Sequence, residues 1–269
     1  MSSSRLDVLK SIGECEKRGE FDRHVDPVDF SRVIKVDGNY HYIKKGFEKL
    51  KYSVEELFVV RPYTVYINKK VMKTEFFGRE HLKGIDSAVL TCNHVFMFDC
   101  LAMRAAVKGH KLYTVAAPFN NMKGFLGEMM RAGGMVPLSD EPSGLKAFNT
   151  AVTKLLEDRN YLLVYPEQAM WWMYEKPRPY KDGAFYIAAR HNVPVIPCFI
   201  TFRPTGKTDE DGIPEKSFIV NILEPVYPDG EKTLRANVAY MKETSYNRCR
   251  EKYESFYGIP LKYTCEAHL

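Results

Sequence analysis

A chain of 269 residues with 45% hydrophobic and 27% charged residues can bury one substantial core, and this composition excludes the apolar-poor signature of disorder. Its formal charge of +5 lacks the concentrated basic tract of a dedicated nucleic-acid binder, and suits contact with anionic lipid or acidic metabolites. No run of about 18 apolar residues occurs, so any membrane contact is expected to be peripheral.

The chain opens MSSSRLDVLK, without the apolar stretch of a signal peptide. Its six cysteines (Cys15, Cys92, Cys100, Cys198, Cys249, Cys265) form no C-x-x-C pair, the pattern of reduced thiols in a cytosolic protein. Residues 1–70 differ in texture from the rest: charge-rich at ECEKRGEFDRH, then aromatic and basic through YHYIKKGFEKLKYSVEELFVVRPY. They read as an appended, partly helical region ending near Pro62, whose aromatic, basic part is a candidate for lying on a membrane.

Residues 71–269 form the second expected unit. Short apolar runs predict strands at 71–78, 87–92, 111–117, 161–166, 193–202 and 217–223. Between them the spacing predicts helices over 98–108, 121–132, 143–158 and 183–191, the third capped by Ser143, and a long charged helix follows Gly230. This alternation implies an α/β fold, a mixed and mostly parallel central sheet flanked by helices.

In TCNHVFMFDC, residues 91–100, a histidine and an aspartate stand five apart among apolar side chains. The first residues end a predicted strand and the last begin a helix, the edge where open α/β sheets carry their chemistry. In one continuous helix the two side chains diverge, but they meet if His94 lies in the turn, with Asn93 as N-cap and Asp99 on the first helical turns. Asp99 then holds one imidazole nitrogen and leaves the other free as a general base. Val95, Phe96, Met97 and Phe98 read as packing residues that hold the pair in place. An H-x-x-x-x-D pair is weak alone, and a core histidine bonded to backbone is the competing reading.

Further blocks follow in order: AGGMVPLSD (132–140), LLVYPEQAM (162–170) and VPVIP within 193–197. With NHVFMFD they resemble the glycerolipid acyltransferases related to 1-acyl-sn-glycerol-3-phosphate acyltransferase, whose blocks are N-H-x-x-x-x-D, a Gly-rich block with an arginine, F-P-E-G-S/T and V-P-I/V-I/V-P. The resemblance runs from FFGREHL (76–82) to about residue 202. It implies an O-acyltransferase domain over 71–269 that moves a fatty acyl group from acyl-CoA or acyl carrier protein to the hydroxyl of a lysophospholipid, in phospholipid synthesis. His94 is then the base and Asp99 its orienting partner, with no cofactor beyond the acyl-donor substrate. Asn93, Gly134, Pro166 and Pro197 are the motif positions.

The chain departs from the family at Ser139 and Asp140, where arginine is usual, and at Gln168 and Ala169 in YPEQA. Glu167 is the expected acceptor contact, with Arg178 and Lys181, or Arg131, supplying positive charge for an anionic headgroup. MWWMYEKPRPY places Trp171 and Trp172 beside basic residues, as an interfacial anchor or as core. No metal is expected, since His94, Asp99 and Glu167 lack a further histidine at ligand spacing. The expected partners are a lipid acceptor, the acyl donor and a membrane surface, with no nucleic acid, and the expected location is cytoplasmic, peripheral on the cytoplasmic membrane face. Two alternatives stand beside this: transfer to another lipid acceptor, such as a glycolipid or amino-acid lipid, and a non-catalytic lipid-binding protein of the same fold.

Overall fold

The computed structural model describes residues 5–26 and 30–264; Cys265 and the opening MSSS lie outside them. The chain begins with α1 (Arg5–Arg18), whose Val8, Ile12 and Cys15 pack against Ala169 and Trp171. The next helical stretch contains α2 (Gly46–Glu55) and α3 (Arg61–Tyr66), each followed by a π-helical turn, Glu56–Val60 and Ile67–Val71. Helix therefore continues past Pro62 rather than stopping there. Proline lacks an N–H and its ring crowds the preceding turn, and the wide turn immediately before it absorbs both defects.

Seven strands follow: β1 (Glu75–Phe77), β2 (Ala88–Thr91), β3 (Leu112–Ala116), β4 (Met135–Pro137), β5 (Tyr161–Val164), β6 (Val195–Thr208) and β7 (Pro214–Ile222). They form one sheet in the order β1-β7-β6-β2-β5-β3-β4, parallel at every pairing except β6 with β7. Five helices flank it: α4 (Asp99–Ala106), α5 (Phe125–Ala132), α6 (Pro142–Glu157), α7 (Gly183–Arg190) and α8 (Leu234–Tyr257). The fold is the mixed, mostly parallel α/β arrangement that the alternation implies.

Alternate residues of a strand face opposite sides, and β2 shows the consequence. Ala88 and Leu90 join Ala102, Met103 and Ala106 of α4 on one face. Val89 joins Ala184, Phe185 and Ala188 of α7 with Met241 and Cys249 of α8 on the other. A parallel strand covered on both faces reads as a continuous apolar run, as AVL does here. Leu162 of β5 meets Phe148, Val152, Leu155 and Leu156 of α6.

Two local expectations change. Helix α6 starts one residue before Ser143: Pro142 occupies its first turn and Glu141 precedes it without a side-chain cap, because proline's fixed φ suits that position. Strand β4 was not expected; three residues at a sheet edge are too few to show a period. At Gly78, just after β1, φ is +81° and a Cβ would lie 1.9 Å from the Ile222 carbonyl oxygen, so only glycine lets the chain leave β1 alongside β7.

Candidate active site

Strands β2 and β5 are hydrogen-bonded neighbours running the same way, with Thr91 level with Val164. The residues that follow them emerge side by side at the carboxyl edge of the sheet. Asn93 is fully buried: its amide donates to the Ile200 carbonyl at 3.0 Å and accepts the Ile200 N–H at 2.7 Å. It thereby ties the end of β2 to β6 and does not cap α4, which starts at Asp99 after Phe98. His94 sits in the turn between them.

His94 Nδ1 lies 2.8 Å from Asp99 Oδ2. The same oxygen accepts the Val95 N–H at 3.0 Å and the Phe96 N–H at 3.3 Å. Asp99 is 1% exposed and stays an acceptor for these donors, which fixes the proton of the imidazole on Nδ1. Nε2 has no hydrogen-bond partner among the described residues, and the side chain is 23% exposed, so the free nitrogen is accessible. The other oxygen, Oδ1, accepts the Tyr165 hydroxyl at 2.6 Å, and the Tyr165 ring stacks on the imidazole at 4.0 Å. Sequence reasoning passed over Tyr165 as the end of a strand; its one signal is a tyrosine where the resembled block has phenylalanine.

Glu167 and Arg178 meet in the interior, and the guanidinium is fully buried. Arg178 Nη2 and Nε donate to Glu167 Oε2 at 2.7 and 3.1 Å, and the Arg178 N–H donates to Oε1 at 2.8 Å. Further guanidinium donors reach the carbonyls of Phe21 and Ala169. With both groups consumed by each other and by backbone, the expected acceptor-binding pair has no open polar face in this conformation. The pair grips the turn that carries His94 instead: Glu167 Oε2 accepts the His94 N–H at 3.3 Å, while Arg178 Nη2 and the Trp171 N–H donate to the His94 carbonyl at 3.3 and 2.9 Å. Lys181 lies on the surface, half-exposed, paired with Asp22 at 2.6 Å.

Trp171 is fully buried against Phe21, Tyr174 and the Arg178 guanidinium. It is core, and the anchor reading fails for it because α1 and the loop after it cover this side of the sheet. Pro166 follows β5 and its carbonyl accepts the Lys181 N–H; Pro197 sits in β6 opposite Thr91.

A family model described as Acyltransferase matches residues 73–201, the span that holds both the His94 turn and the Glu167 loop. Over this span the chain resembles the acyltransferase family. Among solved structures, the chain is similar to the crystal structure of the 1-acyl-sn-glycerophosphate (LPA) acyltransferase PlsC from Thermotoga maritima. The two share 17% identity over 80% of this chain and 89% of that one, with a TM-score of 0.53, a likeness of fold. No curated protein matches the sequence.

The Gly-rich block lies on β4, separated by β5 and β3 from β2, whose end carries His94. Gly134 has φ +88°, and a Cβ there would lie 2.8 Å from the Leu112 carbonyl oxygen, so the glycine lets β4 turn in beside β3. Ser139 is buried and its hydroxyl donates to the Val36 carbonyl, which fastens the N-terminal segment; Asp140 is exposed. Arg131 is occupied by the Asn121 side chain and the Met122 carbonyl.

Proposed function

We propose that this acyltransferase moves a fatty acyl group from a thioester, acyl-CoA or acyl carrier protein, to the hydroxyl of a lysophospholipid such as 1-acylglycerol-3-phosphate. The observation that carries the reading is the His94 imidazole, clamped by Asp99 through Nδ1 and open at Nε2. Nε2 takes the acceptor hydroxyl's proton as the oxygen attacks the thioester carbonyl, and Asp99 stabilises the imidazolium. Collapse of the tetrahedral intermediate expels the thiolate, which receives that proton from His94. No acyl-enzyme is required.

A lipid acceptor accords with the surface beside the dyad. Phe47, Leu50, Val54, Leu57, Phe58 and Val65 are all exposed on the stretch from α2 to α3, with Lys45, Lys49, Lys69 and Lys70 exposed at its ends. An apolar stripe bordered by lysines suits the interface of an anionic bilayer. The Tyr63 ring of α3 meets Phe98 of the catalytic turn edge-on at 5.9 Å, and Met97 is 64% exposed beside it, so the stripe runs to the site. No helix among the described residues is long and apolar enough to cross a membrane.

The test is acyl transfer by purified protein to a panel of lyso-acceptors, from acyl-CoA and from acyl carrier protein. His94→Ala should abolish transfer and Asp99→Asn should lower kcat by orders of magnitude through the wrong tautomer. Wild-type-like turnover by His94→Ala sinks the mechanism. A second reading keeps the chemistry and changes the acceptor. It is favoured by Asp140 in the Gly-rich block and by an Arg178 already spent on Glu167, and the same panel decides it by which acceptor is consumed.

A further inference from the structure

We propose that Tyr165 is a positioning residue for the His94–Asp99 pair, orienting the carboxylate through its hydroxyl and the imidazole through its ring. The Tyr165 O–H donates to Asp99 Oδ1 at 2.6 Å, the carboxylate oxygen that His94 does not use. Oδ2 is held by the Val95 and Phe96 N–H groups as well as by the imidazole, so the carboxylate cannot rotate without breaking bonds at both ends. The phenol ring lies 4.0 Å from the imidazole and 15° from parallel, closing one face of it.

Tyr165 follows β5, the neighbour of β2, so its placement comes from the sheet and not from the turn that it steadies. Burial first, and then the charge of Asp99, push the phenol well above its usual range, so it remains a donor at any pH where the dyad works. The family block that this segment resembles has phenylalanine here. The ring is shared, and the hydroxyl is what this chain adds.

A hydrogen bond to Oδ1 draws negative charge away from Oδ2 and weakens its attraction for an imidazolium proton. Without it, His94 holds a proton more tightly. The other titratable groups around the pair are His24 from the N-terminal segment, Cys92 and Cys100 on the flanking chain, and Glu167 with Arg178 from the loop after β5. Exchange of tyrosine for phenylalanine leaves all of them in place.

The inference rests on His94 acting as base, so Tyr165→Phe and His94→Ala are assayed together, each checked by circular dichroism for an unchanged fold. Tyr165→Phe keeps the stacked ring and should lower kcat by about tenfold, the value of one hydrogen bond to a charged group, with KM little changed. The acidic limb of its kcat/KM profile should move to higher pH, by about half a unit or more, because protonated His94 persists further up the scale. An acidic limb that stays where the wild type has it, with His94→Ala inactive, overturns the role of Tyr165 and leaves the base intact. Turnover by His94→Ala overturns the base assignment itself.

Discussion

Gln168 stands at φ +68°, where the resembled block carries glycine. A side chain in left-handed backbone costs about 1–2 kcal/mol, and Gln168 is exposed, its side chain making no hydrogen bond among the described residues to offset the cost. Gln168→Gly relieves the strain but gives the unfolded chain more freedom, so a net gain of about 0.5–1 kcal/mol is expected in urea unfolding. A loss of stability would mean that the glutamine makes a contact worth more than its strain. The substitution to Gln was legible in the sequence; that the backbone keeps the glycine conformation was not, since φ follows from the loop's ties to His94 and Lys181. The same limit applied to Glu167 and Arg178. Their charges were legible, but only the fold shows that they face each other and not a ligand, because they stand eleven positions apart along irregular chain.

The strands of the sheet centre and their helices were readable element by element, since AVL in β2 and YLLV in β5 are apolar on both faces and bounded by turns. The extension of β6 to Thr208 was not, because beyond Phe202 its residues are mostly exposed and carry no apolar alternation. How α1 docks was likewise hidden. Glu16 on its buried side accepts from Lys176 at 2.6 Å and from the Thr264 N–H at 2.8 Å. Burial alone would raise the Glu16 carboxyl, but those hydrogen bonds and the Lys176 charge bring it below its usual 4.5. A carboxylate depressed on folding contributes stability that is full above its unfolded value and is lost as pH falls through the folded one. Wild type should therefore lose urea resistance between pH 7 and pH about 3.5 by more than Glu16→Gln does. Equal losses in the two proteins would remove Glu16 from the acid response.

At the scale of the molecule, the apolar stripe on α2 and α3 is linked to the turn that carries His94 and Asp99 by the Tyr63–Phe98 ring contact. Phe47 is 82% exposed and Phe58 69%. Burial of each ring in the bilayer interface is worth about 1.5–3 kcal/mol, so Phe47→Ser with Phe58→Ser should reduce co-sedimentation with anionic liposomes at least about tenfold. Unchanged co-sedimentation would overturn the proposed contact of this stripe with a membrane. The loop that grips His94 is braced in turn by distant parts of the chain: Phe21 and Glu16 from the N-terminal side, and Tyr263, whose hydroxyl donates to the Pro177 carbonyl, from the other. Glu16 and Thr264, which are joined directly, stand 248 positions apart. During synthesis the histidine leaves the ribosome long before its last support. A nascent chain carries His94 without the complete frame around it until residue 264 has emerged, so the order of translation itself delays assembly of the site.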